Sequence, residues 1–348
     1  MSSLEILLNL LEVNQKYLPY YDDKLSNHLS MALIALYKMD AAPENLERFN
    51  EAYQHKLVLA EADSALVDIN LSNWKDYLGE HRYHLSFLSF FEGELRRLNS
   101  ISEIISVYFS ELAAGIGAAA FHPLIRLSYA LILDNIPDKI YSLLKKKLKK
   151  IIEKEVVISL AYLADSYLLL HEPESAFPQS IDEAVESLFS IKDRGLNVPK
   201  GGLIFERMQR VSASESYAAL NRLLNSSETH LSRIAAAILE LYCVNPDFIM
   251  LHALTSCHAL RVVLPYVKNK AQVIQSYWSA LVAAILCVDF SQFHQAPHGE
   301  CKNWPELFSR ARASNEEHMI KIAYSTHEEY VHYNNSDRYK KLFNPLPR

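Results

Sequence analysis

The chain has 348 residues, half of them hydrophobic, and a formal net charge of -6. This composition excludes an intrinsically disordered chain, and the acidic balance, with a pI of about 6.2, disfavours a nucleic-acid partner. Charged residues interrupt every apolar run before it reaches the roughly 20 residues of a membrane span, so we expect no membrane span.

The hydrophobic pattern predicts an all-α protein. Only eight glycines are present, fewer than the turns of a sheet protein of this length usually need. Apolar residues recur at spacings of three and four, which is the helical period. The predicted helices cover residues 3–12, 27–39, 44–58, 81–98, 101–113, 117–133, 137–170, 180–191, 229–243, 246–264, 269–287 and 315–333.

The weakest periodicity lies near residues 172–228, which contain several prolines and glycines and predict a loop-rich insertion. Such a stretch is typical of a domain linker or of a flap over an active site. Candidate site residues lie on both sides of it, so we predict a single multi-helix bundle spanning residues 1–348.

The N-terminal residues and the cysteines indicate where in the cell the protein is expected. The start of the chain lacks the basic segment and small-residue cleavage site of a signal peptide. Its four cysteines form no CxxC pair, which fits reduced thiols. Both features predict a cytoplasmic protein.

One segment resembles a dinucleotide-binding fingerprint. Residues 115–120 read G-x-G-x-x-A, but that motif needs a preceding strand within a βαβ unit. A helix is predicted immediately before it, so a tight turn between helices is the favoured interpretation.

Four histidines lie inside strongly apolar helical patterns: His28, His122, His252 and His258. Buried imidazoles need partners, and either a hydrogen-bonded core position or a shared metal ion supplies them. The spacing alone leaves both interpretations open. His252 and His258 are six residues apart, about 120° and about 9 Å on a regular helix, so they can share one ion only if the helix is broken or bulged near Thr255 and Ser256.

Lys321 has two interpretations. Glu317 lies four residues before it, the favoured spacing for an exposed helical ion pair. His318, three residues before it on the same face, is a further candidate ligand.

Several segments in chain order resemble the questin oxidase-like family of oxygenases. They are residues 27–37 (NHLSMALIALY), 74–79 (WKDYLG), 115–126 (GIGAAAFHPLIR), 252–255 (HALT), 258–261 (HALR) and 318–321 (HMIK). The HPLIR segment is the most specific of these, and together they span most of the chain.

The resemblance implies an all-α oxidoreductase that uses O2 and nonhaem Fe(II) on a small hydrophobic aromatic or polyketide-like substrate. It implies that His28, His122, His252 and His258 hold the iron, with Lys321 carrying a CO2-derived carbamate as the anionic ligand. Arg126 and Arg261 become candidates to steady an anionic group, or else partners of core carboxylates. Tyr129 and Tyr324 become candidate proton donors.

Two alternatives stay open. One is an NADPH-dependent Baeyer–Villiger-type monooxygenase of the questin oxidase type, in which the metal is structural or absent. The other is a non-catalytic helical interaction protein that has kept the fold.

Overall fold

The computed structural model describes residues 1–22, 24–60, 66–134, 142–193, 200–225, 230–290, 303–334 and 338–339. Helices dominate these residues, and the all-α prediction is confirmed. The first α-helices are α1 (Ser3–Asn14), α2 (Leu29–Lys38), α3 (Pro43–Gln54), α4 (His84–Leu98), α5 (Ile101–Ile104), α6 (Ser110–Leu112), α7 (His122–Asp134) and α8 (Ser142–Asp165). They are followed by α9 (Ile181–Phe189), α10 (Ile204–Val211), α11 (Glu215–Leu220), α12 (His230–Val244), α13 (Phe248–Val263), α14 (Lys270–Ile285), α15 (Trp304–Ala313) and α16 (Glu317–His332).

Shorter elements connect these helices. A short π-helical segment at Ile105–Phe109 joins α5 to α6. Short 3-10 helices lie at Trp74–Tyr77, His81–Tyr83, Ala113–Gly115, Ala118–Phe121, Ser190–Asp193 and Leu264–Tyr266. Strands β1 (Tyr20–Tyr21) and β2 (Leu25–Ser26) pair antiparallel, and β3 (Glu174–Gln179) and β4 (Arg222–Leu224) pair parallel.

The insertion near residues 172–228 is more regular than its sequence suggested. It contains α9, α10 and α11, and it is bracketed by the paired strands β3 and β4. A capping box holds the start of α9, because Ser180 and Glu183 satisfy each other's backbone N–H groups. Helix α9 was predicted, whereas α10 and α11 span only eight and six residues, too few turns for a hydrophobic period to stand out. The first residues of the helix predicted from 137 lie outside the described part.

Four helices surround the centre of the core. Helix α13 packs on α7 and α16, and α2 packs on the same two helices, so the four form a closed ring. Helix α13 and the turn after it, Phe248–Tyr266, are long and apolar enough to cross a membrane, but 78% of the apolar window is buried within the protein. This burial is typical of a core helix.

The glycines at 115 and 117 serve close packing between helices. A Cβ atom on Gly115 would lie 2.3 Å from the ring of Tyr167, and one on Gly117 would lie 2.9 Å from Met208. A helical segment precedes them, and 3-10 turns follow. The fingerprint-like segment is therefore a tight turn, as expected.

Candidate metal centre

Four histidines meet where the four ring helices begin. His28 is the N-cap of α2, and His122 is the first residue of α7. His252 lies in the second turn of α13, and His318 in the first turn of α16. The ring centroids are separated by 4.6 Å (His28–His122), 4.7 Å (His28–His318), 4.7 Å (His122–His252) and 5.3 Å (His252–His318). We call these four residues the histidine cluster.

Local backbone features fix where these helices start. The Asn27 side chain accepts a hydrogen bond of 3.0 Å from the Leu29 backbone N–H at the start of α2. Before α7, residues 119–121 (Ala-Ala-Phe) have φ angles of 44°, 55° and 69°. Left-handed conformations cost non-glycine residues roughly 1–2 kcal/mol each. These strained residues form a sharp turn, which places His122 in the cluster.

Hydrogen bonds fix the protonation of three of the rings. The Nδ1 atoms of His122 and His252 donate to the carbonyl oxygens of Ala119 (2.5 Å) and Phe248 (2.7 Å). The Nδ1 atom of His318 donates to a carboxylate oxygen of Glu316 at 2.7 Å. These oxygens can only accept, so each Nδ1 carries the hydrogen, and in a neutral ring Nε2 then carries a lone pair.

The lone-pair nitrogens face the interior of the cluster. The Nε2 atoms of His122 and His252 lie 3.2 Å apart, and neither has a hydrogen to place between them. The Nε2 atom of His318 is buried without a hydrogen-bond partner in the described residues. Two lone pairs at this distance repel each other unless a cation or a proton lies between or beside them.

Protonation is an unfavourable way to relieve this repulsion. Burial, reinforced by the other cationic groups around them, lowers the pKa of His28, His122 and His252 well below 6.5. Burial also lowers the pKa of His318, although Glu316 opposes that shift. Neutral imidazoles whose Nδ1 atoms are held by oxygen acceptors are the usual arrangement of histidine metal ligands. Ligand atoms of His28, His122 and His318 lie within 4.8 Å of one another, close enough to hold a common ion.

Lys321 joins the cluster from α16. Its side chain is fully buried, and its Nζ atom lies 2.7 Å from His28 Nδ1. Burial lowers its pKa from 10.5 to about 7, against the opposing effect of Glu317 and Glu316. The alternative of an exposed Lys321–Glu317 pair is therefore wrong, because this face of α16 turns into the core.

The structure does not bring His258 to the cluster. Helix α13 is unbroken from Phe248 to Val263, so the bulge needed near Thr255 is not there. His258 instead donates through Nδ1 to Glu329 at 3.1 Å, and Arg261 binds the same carboxylate at 2.5 Å. The position that the sequence assigned to His258 is occupied by His318. Its spacing of three residues from Lys321, on one helix face, was the available signal.

The side chains proposed as catalytic contact groups other than the histidine cluster. Arg126 is buried and binds Glu155 through two nitrogens at 2.9 and 3.3 Å, which fits the alternative of a core ion pair. Arg261 likewise pairs with Glu329. The Tyr129 hydroxyl lies 3.3 Å from the Ser325 hydroxyl, and the rings of Tyr129 and Tyr324 pack with centroids 5.9 Å apart.

A cavity of about 320 Å³ opens beside the cluster. His28, His122 and His318 line it, while His252 and Lys321 are not among its lining residues. Its other lining residues are largely apolar, with a few polar or charged side chains: Tyr21, Lys24, Leu25, Ser26, Ala119, Ala120, Gly202, Leu203, Ile204, Phe205, Phe248 and Glu317. A small molecule in this cavity would contact the histidines directly.

Comparison with known families agrees with this architecture. A profile of the family described as questin oxidase-like matches residues 25–135 and 193–326, which is most of the chain. The chain belongs to the questin oxidase-like family. Membership indicates an oxidoreductase of the oxidase or oxygenase kind. A search of curated proteins finds no match.

The family match covers every residue of the cluster and Lys321. Its two segments also contain α2, α7, α13 and most of α16, the helices that form the ring. The part of this questin oxidase-like protein that carries the family signal is thus the part that builds the histidine site.

Proposed function

We propose that this protein is a nonhaem iron oxygenase in which the histidine cluster and Lys321 hold Fe(II). The observation that carries the proposal is the 3.2 Å approach of the His122 and His252 Nε2 atoms. Both Nδ1 hydrogens are already donated, so a cation removes the repulsion of the two lone pairs. Imidazole nitrogens with one anionic oxygen suit Fe(II).

Lys321 would supply that anionic oxygen as a carbamate. Only a neutral amine attacks CO2, and a pKa of about 7 leaves much of this amine neutral near pH 7. The amine nitrogen bonds the CO2 carbon and releases one proton, which leaves a carboxylate on Nζ. Lys321 lies in the second turn of α16, and the starts of α2 and α7 are close by. The positive ends of these helix dipoles favour the new negative charge.

The residues that line the cavity bind and orient the substrate. Bound iron would supply electron transfer between O2 and an electron-rich aromatic ring. The cavity walls exclude water and hold a small hydrophobic aromatic molecule beside His28, His122 and His318. Carbonyl and carboxylate acceptors keep the ligand rings fixed in orientation.

Metal analysis tests the proposal. Protein treated with a chelator and then loaded with Fe(II) without oxygen should retain iron in a stoichiometric amount. The variant His122→Ala should lose most of it. The matched control His55→Ala removes an exposed histidine at the end of α3 and should retain iron like the wild type. Absence of iron in the wild type, or equal iron in His122→Ala, would contradict the proposal.

The carbamate has its own measurement. Isotopically labelled bicarbonate should give a carbamate carbon signal in the NMR spectrum of the iron-free or zinc-loaded protein, and Lys321→Met should lack it. If the wild type shows no such signal, the carbamate is refuted while the histidine site stands.

Oxygen consumption separates the proposal from its alternatives. Uptake that requires NADPH but no iron would favour a Baeyer–Villiger-type monooxygenase. A folded protein with no metal affinity and no oxygen uptake would favour a helical interaction protein.

A further inference from the structure

The cavity beside the cluster has features that specify its ligand more narrowly than the family does. This inference rests on the proposed function, because it concerns the substrate of the same site. Three observations carry it: the cavity volume, the exposure of Phe248, and the placement of the two charged residues Lys24 and Glu317.

The volume limits the size of the ligand. Small-molecule pockets usually span about 300–1,000 Å³, and the value of about 320 Å³ lies at the lower end of that range. The largely apolar walls require the part of the ligand inside the cavity to be mostly apolar. The volume therefore suits a small molecule whose buried part is mostly apolar.

Phe248 offers an aromatic surface next to the metal ligands. It is the first residue of α13, and its ring packs edge-on against His252 (4.5 Å between centroids) and His318 (4.7 Å). The residue is nevertheless 53% exposed. An exposed aromatic ring that lines a cavity is available to pack against a planar ligand.

The charged residues give the ligand a direction. Glu317 is largely buried and lies 4.0 Å from the His318 Nδ1 atom, so it marks the inner end of the cavity. Lys24 is exposed at the β1–β2 turn, with its Nζ atom 5.7 Å from the centroid of Phe205, and it marks the rim. An anionic group is repelled by Glu317 and attracted by Lys24.

We propose that the cavity selects an aromatic molecule that carries an anionic group, such as a carboxylate. Phe248 packs against the ring beside the histidine cluster. Lys24 pairs with the anionic group at the rim, and this places the opposite edge of the ring toward His28, His122 and His318. Phe248 and Lys24 thereby determine specificity.

Binding of matched probes to the metal-free protein tests this proposal. We would measure 2-naphthoate by calorimetry beside 2-naphthamide, which lacks the charge, and decalin-2-carboxylate, which lacks the aromatic ring. The wild type should bind 2-naphthoate most tightly. Phe248→Leu should weaken 2-naphthoate about fivefold and leave decalin-2-carboxylate nearly unchanged, while Phe248→Tyr should restore the affinity.

Lys24→Gln should weaken 2-naphthoate about threefold, with little effect on 2-naphthamide, and added salt should reduce the difference. Lys75→Gln is the matched control, because Lys75 also lies near an aromatic ring (Trp74, 5.5 Å) but does not line the cavity. Its affinities should equal those of the wild type. Equal binding of all three probes, or unchanged binding in both Phe248→Leu and Lys24→Gln, would overturn the proposal.

Iron content keeps this failure distinct from failure of the proposed function. Unselective probe binding in a protein that retains stoichiometric iron overturns only the substrate class. Selective binding in a protein without iron affinity overturns the oxygenase and leaves the cavity assignment intact.

Discussion

Replacing Lys321 with methionine should abolish the carbamate and yet stabilise the metal-free protein. The pKa of Lys321 falls from 10.5 in the unfolded chain to about 7 in the folded one, because the side chain is fully buried. At pH 7 the unfolded chain binds this proton fully and the folded chain binds about half of it. The difference costs the folded state about 4 kcal/mol.

The net gain is smaller, because methionine also removes the hydrogen bond to His28. That bond contributes about 1 kcal/mol, which leaves a gain of about 3 kcal/mol for Lys321→Met at pH 7. The sign of the pH dependence follows from linkage. A lysine with a lowered pKa destabilises the fold most at and below its folded pKa, and the penalty disappears as the pH rises to 10.5. The stability gained by Lys321→Met should therefore fall by about 2 kcal/mol between pH 7 and pH 9. This difference does not depend on the contribution of the hydrogen bond.

Urea unfolding of chelator-treated, CO2-depleted protein at both pH values measures this difference. Lys75→Met is the control, since Lys75 forms an exposed ion pair with Glu111 and its replacement should change stability by less than about 0.5 kcal/mol at either pH. The reasoning is refuted if the gain of Lys321→Met does not decrease with pH, or if the variant is less stable than the wild type at pH 7.

Three further predictions concern the histidines and the core ion pairs. His318→Ala should lower iron retention at least tenfold, whereas His258→Ala should retain iron and lose stability, as measured by metal content and urea titration. Arg126→Met leaves Glu155 buried without its partner and should destabilise the fold by about 3–5 kcal/mol at unchanged iron content per folded chain, which fluorescence-monitored unfolding and metal analysis check. The metal-free protein should lose stability as the pH falls below 6.5. The histidines are protonated in the unfolded chain at that pH, whereas their lowered pKa values keep them neutral in the folded protein. The slope should reach up to about 1.4 kcal/mol per pH unit for each histidine, and bound metal should raise the stability at each pH in urea titrations without removing this slope.

Much of the fold could be predicted because its helices are long and apolar on one side. Helices such as α13 and α14 extend over four turns or more, enough for the helical period to be evident. The missed helices α10, α11 and α15 span six to ten residues and depend on caps and on tertiary packing. The start of α13 was expected at Pro246, but the Asp247 side chain accepts from the Ile249 N–H and sets the first helical residue at Phe248.

The histidines were harder to assign than the helices. His28, His122 and His252 stood out as polar residues in apolar patterns, and all three lie in the cluster. His258 stood out for the same reason, but its partner is Glu329, seventy-one residues away in sequence. His318 follows two glutamates, so its surroundings in sequence resemble a surface. Only the packing of α16 against α2 and α13 shows that this turn is buried.

The placement of the site at helix starts explains how so many basic groups can stay uncharged together. The cluster and Lys321 put five nitrogen bases into the buried core, and the positive ends of the surrounding helices further oppose their protonation. The same field favours a carbamate that forms on Lys321. The fold therefore places two features at one site. The histidine lone pairs can bind a cation, and the helix starts stabilise the negative charge of a carbamate ligand. A core packed only for stability would gain nothing from this combination, because each neutral base costs desolvation that an apolar side chain would avoid.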